Sequence, residues 1–247
     1  MNGYGRGFLN MTPAVKNIIL INVVMFAAYW IGAKAFNIDL NSILGIYFPK
    51  SDSFKPIQII SHMFMHHDFM HILFNMYALF IFGQALENVW GSKRFLLYYM
   101  VTGLGAILIH ESVIAFEYSR LVQVLSPEQI QTVIKEGTSV LTEGIGFGNS
   151  AMNSLLVLLN TPTIGASGAV FGVLLAFGML FPNTQLMIIF PPIPIRAKYF
   201  VLIYGVLELV LAFTQPGSNI AHFAHLGGML FGYLLIRYWR QTTNTLY

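Results

Sequence analysis

Ile164-Gly165-Ala166-Ser167-Gly168-Ala169-Val170-Phe171-Gly172 is the stretch whose reading decides the fold. A Gly-x-Ser-Gly run opens an apolar segment that reads as a membrane helix. Gly165, Ala166, Gly168 and Ala169 crowd small residues around one hydroxyl, and small residues let a neighbouring backbone or a substrate come close. A serine in the first turn of a helix lies beside backbone N–H groups that have no intrahelical partner. Such donors suit a developing oxyanion. The same pattern also describes a plain packing seam between membrane helices. What separates the two is whether the rest of the chain brings a base to the same depth.

Composition places the chain in a bilayer. Of its 247 residues, 56% are hydrophobic and 9% charged, against about 25% charged in soluble domains. It cannot clothe itself in a polar surface. The formal charge of +3 is scattered and forms no tract for nucleic acid. Without cysteine, a thiol nucleophile, a thiolate metal site and a disulfide are excluded.

The pattern predicts an all-α bundle of six transmembrane helices, with an arm at 1–13, a core at 14–240 and a tail at 241–247. Span one covers about Ala14 to Ala35. Phe36 to Lys55 is a loop lying in the interface. Span two runs from near Ile59 to Val89, its first part a shallow His-rich turn and Asp68 a cap for the main helix. Trp90 to Arg94 is a tight turn, and Phe95 to about Ile109 is span three. An acidic insertion at about 111–160 follows, with Ser126-Pro127-Glu128-Gln129 as a helix start. Span four opens at the serine run and stops near Phe181. Pro191-Pro192-Ile193-Pro194 is a rigid re-entry loop. Ala197 to Phe213 is span five, Gln215-Pro216-Gly217-Ser218 a turn, and Asn219 to Trp239 span six. Lys and Arg concentrate at one set of short turns, which predicts a cytoplasmic N-terminus and an external insertion.

In that topology spans two, four and six all enter from the outer face. Ser167 and His225 then fall on the order of 5–10 Å below the surface, with His71 level or slightly deeper. Intramembrane polar groups usually face an interior or a wet cavity. Span four, roughly 25 Å long, is shorter than a ~30 Å hydrocarbon core and leaves room for water above the serine.

A serine hydroxyl needs a base, most often histidine. His225 is better placed than His222, which lies one turn nearer the surface, where a solvated histidine needs no special role. Gly228 and Gly232 follow His225 at i+3 and i+7, a seam that lets span six press against span four beside Gly168 or Gly172. His71 and Asn75 share a helix face and can both donate to an oxyanion; an interhelical polar pair is the plainer alternative. With Glu208 far down span five and Glu87 at the inner turn, no carboxylate has an obvious reach to His225. The reading is a Ser–His dyad, with Glu87 tied to Ser92 or Lys93. His62, His66 and His67 lack a His-Glu-x-x-His pattern and read as interfacial surface histidines, with no metal and no cofactor.

These residues resemble the rhomboid family of intramembrane serine proteases. Gly165-Ala166-Ser167-Gly168, Ala224-His225 with Gly228 and Gly232, and His71-Ile72-Leu73-Phe74-Asn75 carry the resemblance, with Glu87 and Gly91-Ser92 in support. It implies Ser167 as nucleophile, His225 as general base and acid, and His71 and Asn75 as oxyanion partners. It implies cleavage of a peptide bond in or near the transmembrane segment of membrane-protein substrates, admitted beside span five. Two departures stand out. The family's Trp-Arg pair in the first loop is missing near Lys55-Pro56-Ile57-Gln58. Phe171 stands where a tyrosine often stacks on the catalytic histidine, and a phenyl ring can stack as well. The compact form suggests a prokaryotic plasma membrane. A catalytically silent relative that escorts membrane clients is the rival reading; a transporter is disfavoured by the lack of internal two-fold symmetry.

Overall fold

Pro13 occupies the first turn of α1 (Pro13–Phe36), where its missing N–H costs no hydrogen bond. The helix ends at Asn37, which takes a left-handed conformation with φ 54°. In the computed structural model, residues 11–187, 192–214 and 221–242 are described. The expected turn at Gln215-Pro216-Gly217-Ser218, the arm up to residue 10 and residues 243–247 lie outside the described residues.

The first loop is folded rather than merely interfacial. Asp39 caps a short α2 (Leu40–Leu44) by accepting from the Asn41 N–H. Further on, α3 (Gln58–Ser61) runs into a 3-10 turn at His62–Phe64. Asp68 then caps α4 (Phe69–Ala78), its side chain accepting from the His71 N–H at 2.9 Å, as the sequence predicts. A π-helical turn at Leu79–Gly83 joins α4 to α5 (Gln84–Trp90), so one continuous helical rod spans 69–90. Gly91, with φ 75°, makes the tight turn into α6 (Ser92–Val124).

The sequence predicts that span three ends near Ile109 and that an insertion begins at about 111. Instead α6 runs 33 residues without a break. Nothing between Ile109 and Leu125 stops a helix, and the first breaker is Ser126-Pro127. There the expected capping box forms, with Ser126 and Gln129 exchanging side-chain and backbone bonds at the start of α7 (Pro127–Thr142). Asn149 caps α8 (Ser150–Asn160). Val133 of α7 and Leu155, Leu156 and Leu159 of α8 join Phe48 and Leu125 in a small core of their own.

The main core surrounds α9 (Ser167–Leu180), eleven of whose fourteen residues are buried. A helix apolar on every side belongs at the centre of a bundle. It packs against α6, α10 (Ala197–Thr214) and α11 (His222–Thr242). Between α9 and α10 lies a feature the sequence reading missed. Strands β1 (Gln185–Met187) and β2 (Pro194–Arg196) pair antiparallel, Gln185 opposite Arg196, flanking the proline-rich segment.

Among the described residues, four helical segments are long and apolar enough to cross a membrane: 13–36, 69–90, 92–124 and 197–214. The other two expected spans differ in kind. α9 is only 14 residues long, and α11 is diluted by its histidines, arginines and glycines. The four long segments keep broad apolar sides uncovered, for example Leu202, Ile203, Val206, Val210 and Phe213 on α10. Lipid can cover such sides; water would not.

Candidate active site

Ser167 is the first residue of α9. The segment leading to it is held from the first loop. Ile46 and Thr163 exchange backbone hydrogen bonds of 3.0 and 2.8 Å, and the Gly165 N–H donates to the His62 carbonyl at 2.9 Å. Gly165 has φ 131°, a conformation side chains disfavour. A Cβ there would lie 3.0 Å from Cε1 and Nε2 of His71. The glycine therefore makes the bend and leaves the space into which His71 projects, next to the serine.

His225 arrives from α11. A Cβ on Gly228 would overlap the carbonyl of Gly168, so the two backbones touch where the sequence expected a seam. Gly232 instead meets Tyr98 and Thr102 of α6, and Gly172 also faces Thr102. This close approach puts Nε2 of His225 2.9 Å from Oγ of Ser167. Phe171, one turn beyond the serine, lies flat on the imidazole.

The other nitrogen of that ring corrects the sequence reading. Oε2 of Glu208 lies 2.9 Å from Nδ1 of His225 and 2.6 Å from Nδ1 of His222. Glu208 lies six residues from Thr214, the end of α10, and His225 three residues from the start of α11. Counted from the connected ends of the two helices, they sit at similar heights, about 9 and 5 Å along. His222 is likewise not a solvated surface group, being only 4% exposed.

His71 and Asn75 share one face of α4, as expected. Asn75 is buried and its amide donates to the His71 carbonyl at 3.0 Å, a bond within the helix rather than to Ser167. Two of the three histidines read as interfacial are interior. His62 is buried with Nδ1 2.8 Å from the Gln58 carbonyl, and His66 packs edge-on against His71. Burial pushes their pKa values down to about 4 and about 3, the latter aided by His71. The loop that carries them folds onto the bundle, which the apolar run Met63-Phe64-Met65 between them could have suggested. His67 is exposed. Glu87 accepts from Ser92 Oγ at 2.6 Å, as expected, and also from the N–H groups of Ala14 and Val15.

In the first loop, where the Trp-Arg pair is missing, Gln58 ties the backbone together. Its side chain, 1% exposed, donates to the carbonyls of Ile43 and Ser53 and accepts from the N–H groups of Tyr47 and Lys55. A cavity of about 20 Å³ opens beside Ser167, lined by His62, Thr163, Gly165 and Ala224 among others. That is the room one water molecule needs.

Taken together, a hydroxyl, an imidazole in hydrogen-bond contact with it, a carboxylate behind the imidazole and first-turn N–H groups make a constellation suited to acyl transfer. Comparison with known proteins places the chain among rhomboid proteins. The Rhomboid domain model matches residues 53–242. Rhomboid protein 1, mitochondrial, of Saccharomyces cerevisiae is 26% identical over 72% of this chain and 40% of its own length. YdcA, a rhomboid protein of Bacillus subtilis, is 24% identical over 92% of this chain and 89% of its own. The presenilin-associated rhomboid-like protein, mitochondrial, of Bos taurus is 25% identical over 91% and 48%. The chain thus spans less than half the length of both mitochondrial relatives. With mitochondrial proteins among them, these relatives lend no support to the expected prokaryotic plasma membrane. By the domain match and its membrane-length helices, the chain is an integral membrane protein of the rhomboid family.

Proposed function

We propose that the chain is an intramembrane serine endopeptidase that cleaves a peptide bond in or near the transmembrane segment of membrane-protein substrates. The observation that carries this reading is the 2.9 Å contact between His225 Nε2 and Ser167 Oγ. In this reading α9 and α11 join the four long segments as spans of a six-helix core at 14–240. The N-terminus is cytoplasmic, and the site and the 111–160 insertion face the outer side.

His225 takes the Ser167 proton as Oγ attacks the scissile carbonyl. The oxyanion forms against the Ser167 N–H, His71 Nε2 and the amide of Asn75, which must then turn from the His71 carbonyl. The C–N bond breaks as the imidazolium protonates the leaving amine. Water, deprotonated by the same imidazole, hydrolyses the acyl-enzyme and restores Ser167. Gly165, Gly168, Phe171, Gly228 and Gly232 support the geometry. Hydrolysis by a serine and a histidine needs only these protein groups and water. The exposed apolar face of α10 suits lateral entry of a substrate helix, and bonds in weakened helices unwind most easily.

The test is labelling with a fluorophosphonate in membranes, paired with cleavage of a reconstituted transmembrane substrate. Ser167→Ala is expected to abolish both while the protein stays folded. Cleavage by that variant would overturn the reading.

A further inference from the structure

Glu208 is a buried carboxylate that the Ser–His reading leaves without work. One oxygen, Oε2, meets the Nδ1 atoms of two imidazoles, His225 and His222, at 2.9 and 2.6 Å. A carboxylate only accepts, so each Nδ1 carries a proton. For His225 this leaves Nε2 with its lone pair toward the Ser167 hydroxyl, the tautomer that can take a proton. Zn²⁺ held by the same atoms would require separations of about 3.3 Å between them; the observed distances are those of charge-assisted hydrogen bonds. The three residues come from two helices, and His222, itself 4% exposed, meets the same carboxylate oxygen as His225.

We infer that Glu208 is a positioning residue that holds His225 in its working tautomer and orientation, with His222 fixing the carboxylate. The site then works as a four-residue chain, Ser167–His225–Glu208–His222, rather than as an isolated pair. As the imidazole becomes an imidazolium during attack, the adjacent carboxylate stabilises the new charge without accepting the proton. This rests on Ser167 and His225 being nucleophile and base, and the experiment separates the two claims.

Wild type, Glu208→Gln and Glu208→Asp are compared in proteoliposomes by kcat and KM for a transmembrane substrate, by fluorophosphonate labelling rate and by thermal midpoint. Glu208→Gln is expected to lower kcat and the labelling rate together by at least about tenfold, with KM within about twofold. Glu208→Asp, which keeps the charge, is expected to recover part of the loss. Wild type that is never labelled at Ser167 removes the protease reading. Labelled wild type with an equally fast Glu208→Gln removes the role of Glu208 alone. Should Glu208→Gln not fold, ¹⁵N-histidine NMR of the wild type decides. A proton on Nδ1 of His225 is expected, and its absence overturns the inference.

Discussion

Phe171 lies on His225 with ring centroids 4.0 Å apart and planes within 5° of parallel. Its other neighbour is Tyr204 of α10, stacked at 5.4 Å. The imidazole is thus clamped in three ways: by the phenyl face, by Glu208 at Nδ1 and by Ser167 at Nε2. An aromatic pair contributes about 0.5–1.5 kcal/mol beyond area burial. Phe171→Leu, which keeps most of the volume, should therefore lower kcat about 2- to 10-fold while the thermal midpoint moves little. Phe171→Tyr should retain the stack and most of the activity. Steady-state cleavage by both variants checks this, and an unimpaired leucine variant would show the stack to be idle.

Gly228 sets the distance between α11 and α9. Any Cβ would run into the Gly168 carbonyl, a backbone atom that cannot swing aside. Gly228→Ala should push the helices apart, with a destabilisation of about 1–3 kcal/mol. Since the Ser167–His225 contact depends on that approach, kcat should fall more than stability does. Thermal unfolding and cleavage of the same preparation compare the two effects.

Gln58 joins four backbone groups of the first loop through one buried amide. Gln58→Leu keeps the size and strips the hydrogen bonds. Each is worth about 0.5–1.5 kcal/mol, so the four together should loosen the loop by about 2–6 kcal/mol. Limited proteolysis between Phe48 and Ile57 should accelerate strongly, and unchanged protection would show that the loop is held by packing alone.

Stability should fall in acid, with His62 one source. Burial holds its pKa at about 4, against about 6.5 in an unfolded chain. Above pH 6.5 the residue is neutral in both states and contributes nothing. Between about pH 6.5 and 4 the unfolded chain binds a proton that the folded one refuses, removing up to about 3 kcal/mol. The midpoint in detergent should drop across that window. His62→Asn, whose amide can still donate to the Gln58 carbonyl, should show a flatter profile.

Much of the site was legible because its residues obey spacing rules that survive folding. Ser167 follows a glycine that only a bend requires, His225 heads a Gly228 and Gly232 seam, and Asp68 and Ser126 cap helices they immediately precede. Glu208 escaped because its partner lies across a connection, where depth must be counted from the joined ends. His62 and His66 escaped because a histidine's burial depends on how a loop folds back, which no local period records. α6 overran its expected end because Glu111 and Glu117 interrupt the apolar run there, whereas a helix stops at a breaker. The β1–β2 pairing was masked by the prolines between its strands.

The paired backbone bonds between Ile46 and Thr163 clasp a distant loop to the strip of chain just ahead of the serine. That clasp is a mechanical lever. With the Gly165 N–H bonded to the His62 carbonyl as well, the bend beside His71 and the hydroxyl is tied to the first loop at two points.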